Sequence, residues 1–456
     1  MARGKKKETL TLEERLQAAL VPESGQPYKV PGNWCWVSLQ TIDQYRASST
    51  DPSKYPDTLF ELYSVPSSAD NYPEVVSGCE IGSTKQSVQK GDVLLCKINP
   101  RINRVWKVSQ YTENALLASS EWIIIRNSKI VSDYLMYCFR APYFREYMLS
   151  NVSGVGGSLM RAQPKYVKTY PVPVPPLPEQ QRIVDRIESL FAKLDEAKQK
   201  AQDALDSFET RKAALLHKAF TGELTAQWRK EHGVGIETWS SCKLIDILVE
   251  KPRNGYSPKP VDYVTACKSM TLSATTTGVF KPEFFKYIDE EIPEDSHLWL
   301  TPGDILIQRA NSLEKVGMSA IYTGAEYEFI YPDLMMKLTV KEPNNKHYID
   351  YYLKTDEILN YFRSNATGTA GNMPKINQKV VSETPLILPE TQEQAEIVRL
   401  LDDLLAKEQQ AKEAAERVLE QIDLIKKAIL ARAFRGELGT NDPSEESVME
   451  LLKVIM

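Results

Sequence analysis

From Glu179 to Gly222 the chain runs about 40 residues without an internal proline or glycine. Apolar or small residues fall at Ile183, Ile187, Leu190, Leu194, Ala197, Ala201, Ala204, Phe208 and Leu215. Their spacing alternates between four and three, which places them on one stripe of an α-helix and is the pattern of a coiled-coil seam. A second stretch keeps the register at Ile397, Leu401, Leu404, Ala411, Ala415, Val418, Ile422, Ile425 and Ile429, with Glu408 as its one charged interruption. Pro176 and Pro178 stand before the first stretch and Pro389 before the second, while Gly222 and Gly436 follow them, as start and stop signals do. The pattern predicts two helices of about 60 Å at 1.5 Å per residue. A single helix of that length cannot bury its own stripe. Packing onto a neighbouring globular segment and pairing with the other helix are both open, and the matched length and register favour pairing.

The two stretches belong to an internal repeat. Residues 171–224 align without a gap on 385–438, superposing Glu179-Gln180 on Glu393-Gln394 and Ala219-Phe220-Thr221-Gly222-Glu223-Leu224 on Ala433-Phe434-Arg435-Gly436-Glu437-Leu438. A period this long means duplicated domains rather than a solenoid. Upstream the likeness fades. Lys90-Gly91-Asp92-Val93-Leu94-Leu95 answers Pro302-Gly303-Asp304-Ile305-Leu306-Ile307, Ser150-Asn151 answers Ser364-Asn365, and Trp36-Val37-Ser38 answers Trp239-Ser240-Ser241. The variable segments hold short β-prone runs at Val93 to Leu95, Trp122 to Ile125, Ile305 to Ile307 and Met335 to Val340. Helical candidates lie between them at Asp133 to Met148 and Tyr348 to Arg363, and another spans Leu12 to Leu20 after a basic start read as disordered. The fold class is therefore α+β, a compact mixed domain written twice with a long helix after each copy.

Charge changes this picture little. The net charge is −5, but residues 1–170 carry 21 basic and 16 acidic side chains, and most of the negative excess lies in the second half. Overall charge neither establishes nor excludes a nucleic-acid partner. The six cysteines have no paired short spacing, so neither a disulfide framework nor a zinc site is expected. No signal peptide or membrane-length apolar run is seen, which points to a soluble, cytoplasmic chain.

Motifs for catalysis are wanting. There is no Walker-type phosphate loop, and His217, His232, His297 and His347 have no metal-ligand spacing. Asn99-Pro100 is followed by Arg101, not by the proline and aromatic residue expected of an adenine methyltransferase. Gly154-Val155-Gly156-Gly157 lacks the βαβ context of a dinucleotide loop. The expectation is a non-catalytic chain that binds no cofactor or metal of its own.

The tandem order of a variable domain, a Pro-rich approach (Pro171-Val172-Pro173-Val174-Pro175-Pro176-Leu177), a Glu-Gln-x-x-Ile-Val helix start and an Ala-Phe-x-Gly-Glu-Leu helix end resembles the specificity subunit of type I restriction-modification systems. Leu20-Val21-Pro22, Pro31-Gly32-Asn33-Trp34 and Leu224-Thr225-Ala226-Gln227-Trp228-Arg229 also fit. The resemblance implies an amino-terminal extension (1–29), a first target recognition domain (30–170), a helical spacer (171–224), a second recognition domain (225–384), a second spacer (385–438) and an acidic tail (439–456). The two spacer helices would pair antiparallel through Ile183, Ile187, Leu190, Leu194, Phe208, Leu215, Ile397, Leu401, Leu404, Ile422, Ile425 and Ile429. It further implies that each recognition domain reads one half of an interrupted double-stranded DNA target. The helices would set the gap and dock two modification (methyltransferase) subunits, which carry S-adenosylmethionine and flip the target adenine. Restriction subunits using ATP and magnesium would complete the complex.

Candidate DNA contacts follow the Gly-Asp strand of each copy: Lys97, Asn99, Arg101, Asn103, Arg104 and Lys107 in the first, Arg309, Asn311 and Lys315 in the second. Arg, Lys and Asn suit phosphate positioning and bidentate base-edge contact alike, and a solvated basic loop is the plain alternative. A second candidate surface is Arg161, Gln163 and Lys165 after the first glycine-rich loop, and Asn372, Lys375, Gln378 and Lys379 in and after the second. A coiled-coil adaptor without DNA specificity, and an enzyme with an unrecognised nuclease or methyltransferase site, are the competing readings.

Overall fold

The computed structural model describes residues 11–154, 160–368 and 373–455. The chain divides into two compact units, one made of Met1–Ala201 with Arg417–Met456 and the other of Gln202–Glu416. Each long helix thus lends a segment to each unit.

In the first unit the strand Val93–Cys96 lies between Val105–Lys107 and Trp122–Ile125 in an antiparallel sheet. Side chains alternate across a strand, and here both faces are covered. Val93 and Leu95 join the main core with the helices, whereas Leu94 and Cys96 pack with Tyr63, Trp106 and Trp122. A five-stranded sheet, in the order Ser49–Thr50, Lys85–Ser87, Ala115–Ala118, Leu59–Tyr63 and Glu74–Ser77, completes the unit.

The second unit repeats the plan. Ile305–Gln308 lies between Ser319–Ile321 and Met335–Leu338; Ile305 and Ile307 face the main core, and Leu306 faces the opposite cluster. Gly91 and Gly303 enter the two equivalent strands at φ of 92° and 101°, a region that favours glycine. The following aspartates each accept a backbone N–H three residues back, Asp92 from Gln89 and Asp304 from Thr301, both at 2.9 Å. The β-prone runs are therefore strands, and the Gly-Asp pair is the turn that launches them.

Each long helical candidate of the recognition segments proves to be two helices. Ser132–Arg140 is followed by Pro142–Ser150, and Lys346–Leu353 by Asp356–Ser364. Pro142 explains the first break, because a proline forces the residue before it out of the helical region and Ala141 sits at ψ 147°. Thr355, at ψ 149°, interrupts the second.

Each Pro-rich approach is an edge strand. Pro171–Val174 pairs with Cys35–Ser38, and Pro385–Leu388 with Ser240–Lys243. Cys35 lies opposite Val174 and Ser240 opposite Leu388, 214 positions on. Trp239 is therefore matched by Trp34, not by Trp36 as the local likeness of sequence indicates. The Trp34 indole N–H donates to Glu179 at 2.7 Å, and that of Trp239 to Glu393 at 2.8 Å. Gln180 and Gln394 are also buried and equivalent. Gln180 accepts from the Val131 N–H and donates to the Pro175 carbonyl; Gln394 does the same with Asn345 and Pro389. The Glu-Gln signature is thus a structural lock that ties helix, strand and recognition segment together.

Leu177–Asp206 and Phe208–Phe220 are separated at Ser207 alone, whose φ of −86° and ψ of −5° stay near helical values and whose hydroxyl donates to the Asp203 carbonyl. The second helix, Thr391–Ala433, is unbroken. Their apolar stripe is used in both of the ways left open. Ile183 and Ile187 belong to the first unit's core, and Ile397 and Leu401 to the second's. Phe208 and Ile422 are buried, and Leu190, Leu194, Leu215, Leu404 and Ile429 half-buried. Ile425 is 42% exposed and so stands outside the packed stripe to which the heptad count assigns it.

The helices meet within each unit. Lys426 reaches Asp195 at 2.5 Å in the first. In the second, Arg211 pairs with Glu408 at 2.8 Å and Lys412 lies over the Phe208 ring, so numbers rise along one helix as they fall along the other: the pairing is antiparallel. Glu408, the charged gap in the seam, is answered by that arginine.

The amino-terminal helix is Leu12–Ala19, capped by Thr11 and Glu14. The acidic segment after residue 439 is no free tail. Met449–Ile455 is helical, Val448 and Leu452 are fully buried in the first core, and Arg182 grips Glu445 with two hydrogen bonds. Its acidic composition hid an apolar i, i+4 pair.

Candidate nucleic-acid interface

In each unit the two surfaces proposed from sequence are one. Beyond the strand Val93–Cys96, Lys97 donates its N–H to the Glu121 carbonyl and its own carbonyl accepts from Ala162 at 2.8 Å; the Asn99 N–H donates to Met160 at 2.7 Å. Ile98 bridges Arg161. In the second unit the Arg309 carbonyl accepts from Ile376 at 2.8 Å, the Asn311 N–H donates to Pro374 at 3.3 Å, and Ala310 bridges Lys375. The segment after the first strand is zipped to the end of the glycine-rich loop in the same pattern twice. Residues 155–159 and 369–372 lie outside the described residues, and Asn372 with them.

These loops are held from beneath. Asn99 and Asn103 adopt left-handed φ of 47° and 53°, which asparagine tolerates better than most residues, and bracket the single turn Pro100–Ile102. The Asn103 amide donates to the Phe139 carbonyl, and the Arg145 guanidinium to the Arg101 carbonyl at 2.5 Å. In the second unit Arg363 donates to the Glu314 carbonyl at 3.3 Å. Both arginines lie on the second member of a helix pair and grip the tip of the neighbouring loop. Gln308, fully buried, adds a further brace: its amide donates to Leu272, Thr275 and Thr276 and its oxygen accepts from Asn311 at 2.6 Å.

The candidates separate accordingly. Lys107 is ion-paired to Asp133 at 2.5 Å, and Asn311 is tied to Gln308 and to the Ser312 N–H, so neither is a free donor. Arg309 donates to the Asp333 carbonyl. Arg161 forms a two-bonded pair with Glu121 at 3.2 and 3.3 Å. With 44% of the arginine side chain exposed, that pair contributes about 0–1 kcal/mol and exchanges readily for another anion. Lys97, Arg101, Arg104, Lys165, Lys315, Lys375 and Lys379 form no ion pair among the described residues. Gln163 precedes and Gln378 begins a short helix, Gln378 being exposed. Lys165 lies over the Tyr166 ring.

Polar patterning also missed exposed apolar residues on these loops. Ile102, Leu313 and Met373 are 53%, 52% and 45% exposed. Apolar groups on a reading surface can meet a thymine methyl. The holding arginines were missed as well, although Arg145 and Arg363 stand in plain sight on the helical candidates.

Among the described residues there is no group of His, Cys, Asp and Glu able to hold a metal ion, the six cysteines are free, and no helix is long and apolar enough to cross a membrane.

The chain matches the family model described as the type I restriction modification DNA specificity domain, over residues 73–205 and 254–420. It is 26% identical over 321 residues to the type I restriction enzyme EcoKI specificity subunit of Escherichia coli strain K12, covering 69% of this chain and 68% of that one. It is 24% identical over 326 residues to the StySPI specificity subunit of Salmonella potsdam, covering 69% and 67%. The fold is similar to the crystal structure of the HsdS subunit from Thermoanaerobacter tengcongensis, at a TM-score of 0.64 and 20% identity over 91% of this chain and all of that one. It is likewise similar to a structure described under complex assembly and conformational transition of the type I R-M system, at 0.69 and 20% over 90% and 100%. With two copies of the domain covering most of its length, the chain belongs to the type I restriction-modification DNA specificity family.

Proposed function

We propose that the chain is the DNA sequence-recognition subunit of a restriction-modification complex and that each unit reads one half of a bipartite duplex target. The observation that carries this is the recurrence, on the same three-strand frame, of a zipped double loop bearing unpaired cations and exposed apolar tips. The frame is shared and the loop residues differ, as two readers of different half-sites require. Phosphate contacts from Lys and Arg position such a surface, and base-edge contacts from Arg, Gln and apolar tips specify the sequence. The long helices set the gap between half-sites and dock two modification subunits, where S-adenosylmethionine is bound; restriction subunits supply ATP- and magnesium-dependent cleavage. The chain itself performs no catalysis and acts in the cytoplasm on DNA.

The reading is tested by purifying the chain alone and with its co-expressed modification subunit. Adenine methylation is expected only from the complex, at an interrupted sequence. Robust methyl transfer by the chain alone overturns the assignment of roles.

A further inference from the structure

We propose that a groove on the first unit, between the loop Ile102 to Val105 and the helix Pro142–Ser150, is a sequence-independent binding site for the phosphodiester backbone of duplex DNA. The proposal rests on the DNA-recognition reading above and adds to it a surface beside the loop tips.

The groove is open and has a volume of about 840 Å³. Arg104, Arg140, Arg145 and Lys427 line it, against one carboxylate, Glu146. Several other cations of this unit are ion-paired: Lys107 with Asp133, Arg126 with Asp92, Arg161 with Glu121, Lys168 with Asp43 and Arg182 with Glu445. None of the four groove cations forms an ion pair among the described residues. Those acids are held away from the groove, whose four cations share it with Glu146 as the one lining carboxylate.

The second copy shows what neutralisation looks like. Tyr134 and Tyr348 donate to the carbonyls of Pro173 and Ile387, which fixes the register of the two helices. In that register Arg140 corresponds to Lys354 and Met136 to Asp350. Lys354 is bonded to the Asp350 carboxylate, with side chains only 12% and 9% exposed. No carboxylate is bonded to Arg140, and Asp133, whose charge acts on it, is paired with Lys107. The Arg140 guanidinium donates to the Val105 carbonyl at 2.8 Å, and burial pulls its pKa down because the charge is poorly solvated. A partly buried cation that the fold leaves without an anion is stabilised by an external one. The flanking Arg104 and Lys427, on a loop and on the helix Thr391–Ala433, spread that charge along an open channel rather than a closed cavity. An extended polyanion fits this distribution, and Ile102, Val105 and Leu149 provide apolar walls against which sugar carbons can lie.

The test is the salt dependence of binding by the full chain, within its assembled complex, to a 40-base-pair duplex lacking the target. Each phosphate contact contributes about −0.9 to the slope of log affinity on log salt. K427Q is expected to lower the slope by about one. The loss of affinity between 50 and 200 mM salt then shrinks roughly threefold. M136D, which installs the acid found in the second unit and removes no cation, is expected to lower the slope by about one. Sequence preference is unchanged in both, and thermal melting confirms that both remain folded. Wild-type slope in the folded variants overturns the groove while leaving the DNA reading intact. Failure of the wild-type complex to bind duplex DNA at all overturns both.

Discussion

Arg229→Ala removes the cation from a buried polar cluster and leaves its carboxylate behind. Glu393 is 1% exposed and accepts the Arg229 guanidinium at 2.7 Å, the Thr225 hydroxyl at 2.7 Å and the Trp239 indole N–H at 2.8 Å. The Arg229 side chain is itself only 11% exposed, and it also holds the Gly222 carbonyl at 2.6 Å, closing the end of the helix Phe208–Phe220. Stripping one partner from a buried ion pair costs about 3–5 kcal/mol, because the remaining charge stays desolvated. For a unit of this size each kcal/mol shifts Tm by about 2–4 °C, so a fall of roughly 6–20 °C is expected for the second unit. The double variant R229A/E393Q removes both charges and should be more stable than R229A alone, though it makes fewer hydrogen bonds. Chemical denaturation followed by tryptophan fluorescence, with calorimetry, reads both effects. An R229A cost below 1 kcal/mol, or a double variant less stable than the single, refutes the idea that the pair is held by mutual neutralisation.

The equivalent carboxylate of the first unit carries a prediction for pH. Glu179 accepts from Trp34 and Asn441 with no cation bonded to it, and burial raises its pKa above the ordinary carboxylate value. A raised folded pKa contributes stability that is fully present below the unfolded pKa and is lost as pH rises through the folded value. Glu179→Gln should therefore flatten that decline, and a wild-type-like pH profile in urea melts speaks against it. Leu452→Ala, in the fully buried final helix, should destabilise the first unit by about 2–5 kcal/mol; an unchanged melting curve would make the segment a dispensable tail. One heptad inserted at matched positions in both helices lengthens each by about 10 Å and should shift the preferred gap by about three base pairs, with loss of the original target. Undiminished methylation of that target denies the helices their spacing role.

Repeats and periodic patterns were the legible part of this sequence. The three-four spacing gave both long helices, and short β-prone runs gave the strands, because these signals are local and occur twice. What escaped depends on distant partners. Lys107 and Asn311 advertise donor capacity, but only the fold reveals Asp133 and Gln308 beside them. The two left-handed asparagines, Asn99 and Asn103, serve the loop's backbone as well as any ligand. The Trp34 and Trp239 equivalence was obscured because the constant offset of 214 fails upstream of the spacer, where segment lengths differ; strand register restores it. The break at Ala141 was written in Pro142 and was outweighed by the continuous apolar pattern around it. The tail's acidic residues concealed Val448 and Leu452, whose burial needs a core built mostly by residues more than 250 positions away.

Division of recognition between two readers is tested most directly by exchange. Residues 30–170 are replaced by the equivalent segment of a relative, and methylated adenines are mapped across the genome of a host expressing the hybrid with its modification subunit. One half of the interrupted target should change while the other half and the gap stay as they were. A hybrid that folds, assembles and methylates the unaltered target, or changes both halves together, contradicts the assignment of one half-site to each unit.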